Sequence, residues 1–254
     1  MRATIGLIAV CVLALPVAAC AQPVPPTEDP MTFLAAGEDA PLLQGELSVP
    51  QRPNPDTLVP GVVICHPNPL MGGSMYNNVT LAIRDRCLEL GMATLIFNLR
   101  GVGRSQGEMS DGPGCADDVL GALAFLRVQP AVDAERCGLA GYSYGSQMAL
   151  AALRRDPTVL TCAAVGLPTG LEQPVTVADF AYLDGVERPL LFVTGTDDQY
   201  SSIPNILALV DHYHLQARVI PMERVDHFYS EPESLALMAT QVGQFLAMKL
   251  VGEL

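Results

Sequence analysis

Residues 140–150 read AGYSYGSQMAL, and they place a polar Ser143 between Gly141 and Gly145. The stretch before it, RCGLAG, is a short apolar run of strand type. The stretch after it, SQMALAALRR, repeats apolar residues (Met148, Ala149, Ala152, Leu153) at helical spacing. A chain that passes directly from strand to helix must bend sharply at the serine, and the crowding there favours glycine two residues to either side. Gly-Tyr-Ser-Tyr-Gly therefore has the G-x-S-x-G form of a nucleophile elbow, which lifts a serine hydroxyl above the end of a sheet.

A serine hydroxyl is a weak nucleophile until a base takes its proton and a third group orients that base. With an elbow of this kind the acid and then the histidine follow the serine along the chain. The acid is sought in LLFVTGTDDQY, where a strand ends at Gly195 and two aspartates follow. Asp198 is preferred and Asp197 is its rival, because a carboxylate just past a strand is also common in solvated turns. The base is sought in RVIPMERVDHFYS, where His227 follows the last strand. His66 precedes the elbow, and His212 and His214 lie at a helix end, so these three fit poorly. Acyl transfer also needs two N–H donors aimed at the developing oxyanion. The backbone N–H of Tyr144 supplies one. The second is expected from the loop HPNPLMGG, where Pro67 and Pro69 have no N–H to give. Asn68 is the first residue that does, and Leu70 is the fallback.

These residues must be carried by a scaffold. Short apolar runs (GVVICH, MATLIFNL, RCGLAG, LTCAAVGLP, PLLFVTG, ARVIPME) alternate with helical patterns (NNVTLAIRDRCLELG, ADDVLGALAFLRVQP, the elbow helix, IPNILALVDHYH, ESLALMATQVGQFLAMKL). LLQGELSVP reads as an early edge strand. Such alternation predicts an α/β fold, a mostly parallel sheet with helices on both faces. Ligands of such sheets bind beyond the carboxyl ends of the strands. Ser143, Asp198, His227 and Asn68 each follow a strand, so one rim should hold all four. Only about two dozen residues separate Gly166 from Pro189, which leaves little or no room for a lid domain and predicts an open, shallow site.

The chain has 254 residues, half of them hydrophobic, enough for one large domain. Asp and Glu number 27 against 14 Lys and Arg, a balance that disfavours nucleic acid as a partner. MRATIGLIAVCVLALPVAAC, with Arg2 ahead of an uncharged apolar run, reads as an export signal over residues 1–21. Ala19-Cys20-Ala21 suits ordinary cleavage, and Val17-Ala18-Ala19-Cys20 resembles a lipobox in which a lipid on Cys20 would be the one contact with a membrane. The expected location is the periplasm or the exterior. QPVPPTEDP follows, so residues 22–38 are expected as a Pro-rich tether and 39–254 as the folded domain. Cys65, Cys87, Cys115, Cys137 and Cys162 lie outside the leader. Their odd number and apolar settings favour buried thiols, with one or two disulfides left open, and none has metal-ligand spacing. NLRGVGRSQGE places Gly101, Gly103 and Gly107 after a strand, but the third glycine comes one position late for a dinucleotide fingerprint. No cofactor is expected, and the loop is assigned to a tight turn near the rim, with Arg100 and Arg104 in structural roles.

HPNPLMGGSMYNN, NLRGVGRSQGE, GYSYG, ADFAYL, GTDDQY and VDHFY, taken in order, resemble a family of small bacterial α/β-hydrolases related to the catalytic core of X-prolyl dipeptidyl peptidases and to dienelactone-hydrolase-like proteins. The resemblance spans roughly residues 61 to 240. It implies the α/β-hydrolase fold and a triad of Ser143, Asp198 and His227. Dienelactone hydrolases proper carry cysteine where this chain has Ser143, and the family is usually cytoplasmic. The expected activity is hydrolysis of a small carboxylic ester, with an amide- or peptide-cleaving enzyme and a non-catalytic binding module of the same fold as alternatives.

Overall fold

The structure is a computed structural model and describes residues 31–252 apart from 39, 53 and 110–112. The proposed leader, Cys20 and most of the tether lie outside the described residues. Eight strands form one sheet: β1 (Met31–Leu34), β2 (Leu42–Ser48), β3 (Val59–Cys65), β4 (Ala93–Phe97), β5 (Val132–Tyr142), β6 (Cys162–Val165), β7 (Leu190–Gly195) and β8 (Ala217–Met222). Their spatial order is β1-β2-β4-β3-β5-β6-β7-β8. The first two strands pair antiparallel and the rest pair parallel. The helices are α1 (Asn78–Glu89), α2 (Pro113–Arg127), α3 (Tyr144–Arg155), α4 (Ile203–His212) and α5 (Pro232–Leu250).

The central strands are buried on both faces, which is why they read as unbroken apolar runs. Successive side chains of a strand point to opposite faces. In β3, Val63 and Cys65 join a core layer with Leu123 and Leu126 of α2 and with Leu150 and Leu153 of α3. Val62 and Ile64 join the opposite layer with Ile83 and Cys87 of α1 and with Val242 and Leu246 of α5. Strand β4 divides the same way, with Leu95 and Phe97 on one side and Ile96 on the other. The elbow helix thus packs on the sheet beside α2, against β3 and β5.

One boundary differs from the sequence expectation. Residues 31–34, assigned to the tether, form β1 and pair with β2 from Met31↔Gly45 to Leu34↔Leu42. Phe33 is the cause: it is buried, and its ring stacks on Phe125 at 5.0 Å and meets Phe97 edge-on at 5.9 Å. The prolines just upstream obscured this four-residue strand, MTFL. Consequently β2 is an interior strand and β1 takes the edge. The helical structure between β6 and β7 is limited to two short 3-10 turns over Val177–Leu183, joined by a kink at Phe180, with Phe180 and Leu183 buried in the layer that holds α3. No lid domain stands over this end of the sheet among the described residues.

Candidate active site

Ser143 follows β5 and precedes α3 with φ 53° and ψ −123°, a backbone conformation strained for any residue with a Cβ. Several contacts hold it there. The Ser143 N–H donates to Val165 O at 2.9 Å. Its carbonyl accepts from the Ser146 N–H at 2.9 Å and from Ser146 Oγ at 2.6 Å. The flanking glycines are needed for space: a Cβ on Gly141 would lie 2.3 Å from Gly145 O, and one on Gly145 would lie 2.3 Å from Cys65 O and 2.4 Å from His66 O. The start of α3 is therefore pressed against the end of β3 and the loop that follows it.

Three side chains from three loops converge at this point. Ser143 Oγ is 2.9 Å from His227 Nε2, and His227 Nδ1 is 2.8 Å from Asp198 Oδ2. An ionised carboxylate can only accept, so Nδ1 carries the ring hydrogen and Nε2 is left as the acceptor for the serine hydroxyl. The other carboxylate oxygen, Asp198 Oδ1, accepts from the N–H groups of Tyr200 at 2.8 Å and Ser201 at 2.9 Å. All three residues are buried, His227 with 4 % of its surface exposed. Asp197, the rival acid, is exposed, and among the described residues its carboxylate hydrogen-bonds only to the neighbouring Thr196 hydroxyl at 3.5 Å.

The loop carrying His227 is held from below. Tyr142, the residue just before the serine, donates its phenol to the His227 carbonyl at 2.8 Å. Its ring lies 5.4 Å from the imidazole, and burial pushes the phenol pKa well up, keeping it a donor. Tyr229 reaches Val193 O at 3.4 Å from the same loop. Gly166, at the end of β6, leaves the space beside the pair: a Cβ there would lie 3.2 Å from His227 Cε1 and 3.4 Å from Asp198 Oδ2.

The loop after β3 is shaped by Asn68. Its side-chain Oδ1 accepts the Leu70 N–H at 2.9 Å, and its carbonyl accepts from Met71 and Gly73, each at 3.0 Å. The N–H of Leu70 is thereby engaged, whereas the N–H of Asn68 makes no hydrogen bond among the described residues. Tyr144 is the first residue of α3, where a helix turns its N–H groups outward from its own carbonyls.

Some supporting residues were missed in the sequence or only partly read. His66 is fully buried. Its Nε2 accepts the Leu99 N–H at 3.1 Å, so Nδ1 carries the hydrogen that it donates to Pro67 O at 2.7 Å. Burial lowers its pKa to about 4, so the ring is neutral and ties the Asn68 loop to the end of β4. Arg100 donates from Nε (3.0 Å) and Nη2 (2.7 Å) to one oxygen, Oδ1, of the fully buried Asp118, and its backbone N–H donates to Oδ2 at 2.8 Å. The glycine-bearing turn after β4 is anchored to α2 in this way. The five described cysteines are buried, and no disulfide joins any two of them. His212 ends α4 and His214 follows it, and among the described residues neither hydrogen-bonds to Ser143, Asp198 or His227.

Comparison with known proteins places this geometry. Residues 84–170, about a third of the chain, match the prolyl oligopeptidase family. An uncharacterized protein of Rickettsia prowazekii is 27% identical over 192 residues, covering 74% of this chain and 77% of its own. A putative α/β hydrolase of Agrobacterium tumefaciens superposes with a TM-score of 0.74 at 24% identity, covering 89% of this chain and 98% of that one. An α/β serine hydrolase homologue from Coxiella burnetii gives 0.72 at 25% identity, covering 87% and 99%. The chain has the α/β-hydrolase fold. These matches agree with the resemblance drawn from the motifs and support a hydrolase. In this fold the three converging side chains stand at the carboxyl rim, after β5, β7 and β8.

Proposed function

We propose that this chain is a serine hydrolase that cleaves a small carboxylic ester through an acyl-enzyme. The observation that carries the reading is the unbroken line of hydrogen bonds from Ser143 Oγ through His227 to Asp198, with 2.9 and 2.8 Å links. His227 Nε2 takes the serine proton as Oγ attacks the ester carbonyl. Asp198 keeps the imidazole in the required tautomer and stabilises the imidazolium. The oxyanion is held by the backbone N–H groups of Tyr144 and Asn68. Collapse of the tetrahedral species expels the alkoxide, which takes the proton from Nε2. Water then attacks the acyl-serine by the same proton relay in reverse and releases the acid. No cofactor has a part in these steps.

An ester is favoured because the half-exposed side chains that flank His227 are the aromatic rings of Tyr200 and Phe228, a surface suited to the apolar body of a small ester. The absence of an inserted lid domain suits short, soluble substrates. The prolyl oligopeptidase match keeps amide or peptide cleavage as the second reading. A panel of p-nitrophenyl esters of rising acyl length, run beside aminoacyl-nitroanilides, separates the two. Higher kcat/KM on acetyl and butyryl esters than on any nitroanilide is expected, and the reverse order would select the peptidase. Ser143→Ala should lower kcat by about 10⁶-fold on whichever substrate is turned over.

A further inference from the structure

His227 is enclosed unequally by aromatic rings. Tyr142 lies on its buried side. Tyr200 lies 4.8 Å from the imidazole at 56°, and Phe228 lies 5.7 Å from it at 84°. These two also meet each other edge-on at 6.3 Å and 84°. Unlike Tyr142, both reach solvent, Tyr200 with 39% and Phe228 with 46% of its surface exposed. Two neighbouring half-exposed rings form one continuous apolar surface, and such a surface beside a reactive centre is a place for a ligand to cover.

The reaction fixes which part of a substrate would cover it. Nε2 takes the proton of Ser143 and must then deliver it to the departing oxygen, so that oxygen sits within hydrogen-bonding reach of Nε2. The atoms attached to it continue along whatever flanks the imidazole on the solvent side, and there the flanking groups are the rings of Tyr200 and Phe228. The oxyanion donors come from the separate loop after β3 and from the start of α3. We infer that Tyr200 and Phe228 form a shelf for the leaving group, and that the preferred esters carry an aromatic or planar apolar group on the alcohol half. This inference rests on the ester-hydrolase reading and adds the identity of the alcohol to it. An aryl group on the shelf meets two rings in offset or edge-to-face contact and removes apolar surface from water.

Tyr200 can be trimmed without dismantling its loop. The backbone of Tyr200 holds its place, its N–H donating to Asp198 and its carbonyl accepting from Thr169 and Gly170, and these bonds survive loss of the ring. The test uses acetate esters of benzyl alcohol and ethanol, whose leaving groups have similar basicity, with ethyl acetate and ethyl butyrate as an acyl-side control. The wild type should prefer benzyl over ethyl acetate by about tenfold or more in kcat/KM. Phe228→Ala and Tyr200→Ala should each reduce that ratio severalfold, and the double variant should bring it close to one, while the acetate-to-butyrate ratio moves less than threefold. A benzyl-to-ethyl ratio near one in the wild type, or one unchanged in both variants, overturns the shelf while leaving the hydrolase intact. Turnover of none of these esters, with Ser143 unreactive to a fluorophosphonate, overturns the ester reading and the shelf with it.

Discussion

At the scale of single residues, the site depends on fixing one imidazole between a carboxylate and a hydroxyl. Order along the chain pointed to Ser143, Asp198 and His227, since each follows an apolar strand and the sequence of nucleophile, acid and base suits the elbow. The choice between Asp198 and Asp197 was not legible, because adjacent aspartates in a turn differ only in the direction they face. Burial of Asp198 and its two backbone donors distinguish them. Tyr142 was equally hidden: its position inside the motif gives no sign that the phenol reaches a carbonyl 85 positions later. Removing that hydroxyl with Tyr142→Phe leaves the His227 carbonyl without this buried donor, at a cost of about 1 kcal/mol. The expected result is a fall of roughly fivefold in kcat with little change in KM, read by steady-state kinetics on the best ester. A change confined to KM would place Tyr142 in substrate binding instead.

At the scale of elements, the alternation of strands and helices was plain in the sequence because the parallel strands are buried on both faces and the helices on one. The margins were less plain. Strand β1 is four residues long, and its membership depends on the long-range packing of Phe33 on Phe97 and Phe125. The strand-to-helix turn was legible from its glycines, and the structure supplies the reason in the close approach of Gly145 to the carbonyls of Cys65 and His66. Gly145→Ala puts a methyl group where those carbonyls lie and must displace either α3 or the Asn68 loop. The variant should lose at least about 100-fold in kcat/KM, consistent with losing one oxyanion donor, roughly 3 kcal/mol. Its thermal midpoint should fall by several degrees as well. Near-normal kcat/KM in a folded Gly145→Ala protein would show that the elbow and the Asn68 loop are not coupled through this contact.

At the scale of the whole molecule, the buried neutral His66 links stability to pH. Its pKa is about 4 in the folded protein and about 6.5 when unfolded. Between these values the unfolded chain takes up a proton that the folded chain refuses. The stabilisation is therefore complete above pH 6.5 and is lost as pH falls towards 4, by up to about 3 kcal/mol. Denaturant unfolding of the wild type at pH 7.5 and 4.5 should show this loss, and His66→Gln should show a smaller one. Equal losses in the two proteins would remove His66 as the cause. The acidic balance of the chain adds carboxylate effects at lower pH in both proteins, so the comparison between them isolates the histidine.

The account stands on the reactivity of one hydroxyl, and labelling measures it most directly. The wild-type protein should be treated with a fluorophosphonate at neutral pH, digested, and read by mass spectrometry. The account predicts a single stoichiometric adduct on Ser143, abolished by Ser143→Ala and slowed by orders of magnitude in His227→Ala. An adduct on another residue, or labelling of Ser143 that is as fast without His227 as with it, would contradict it.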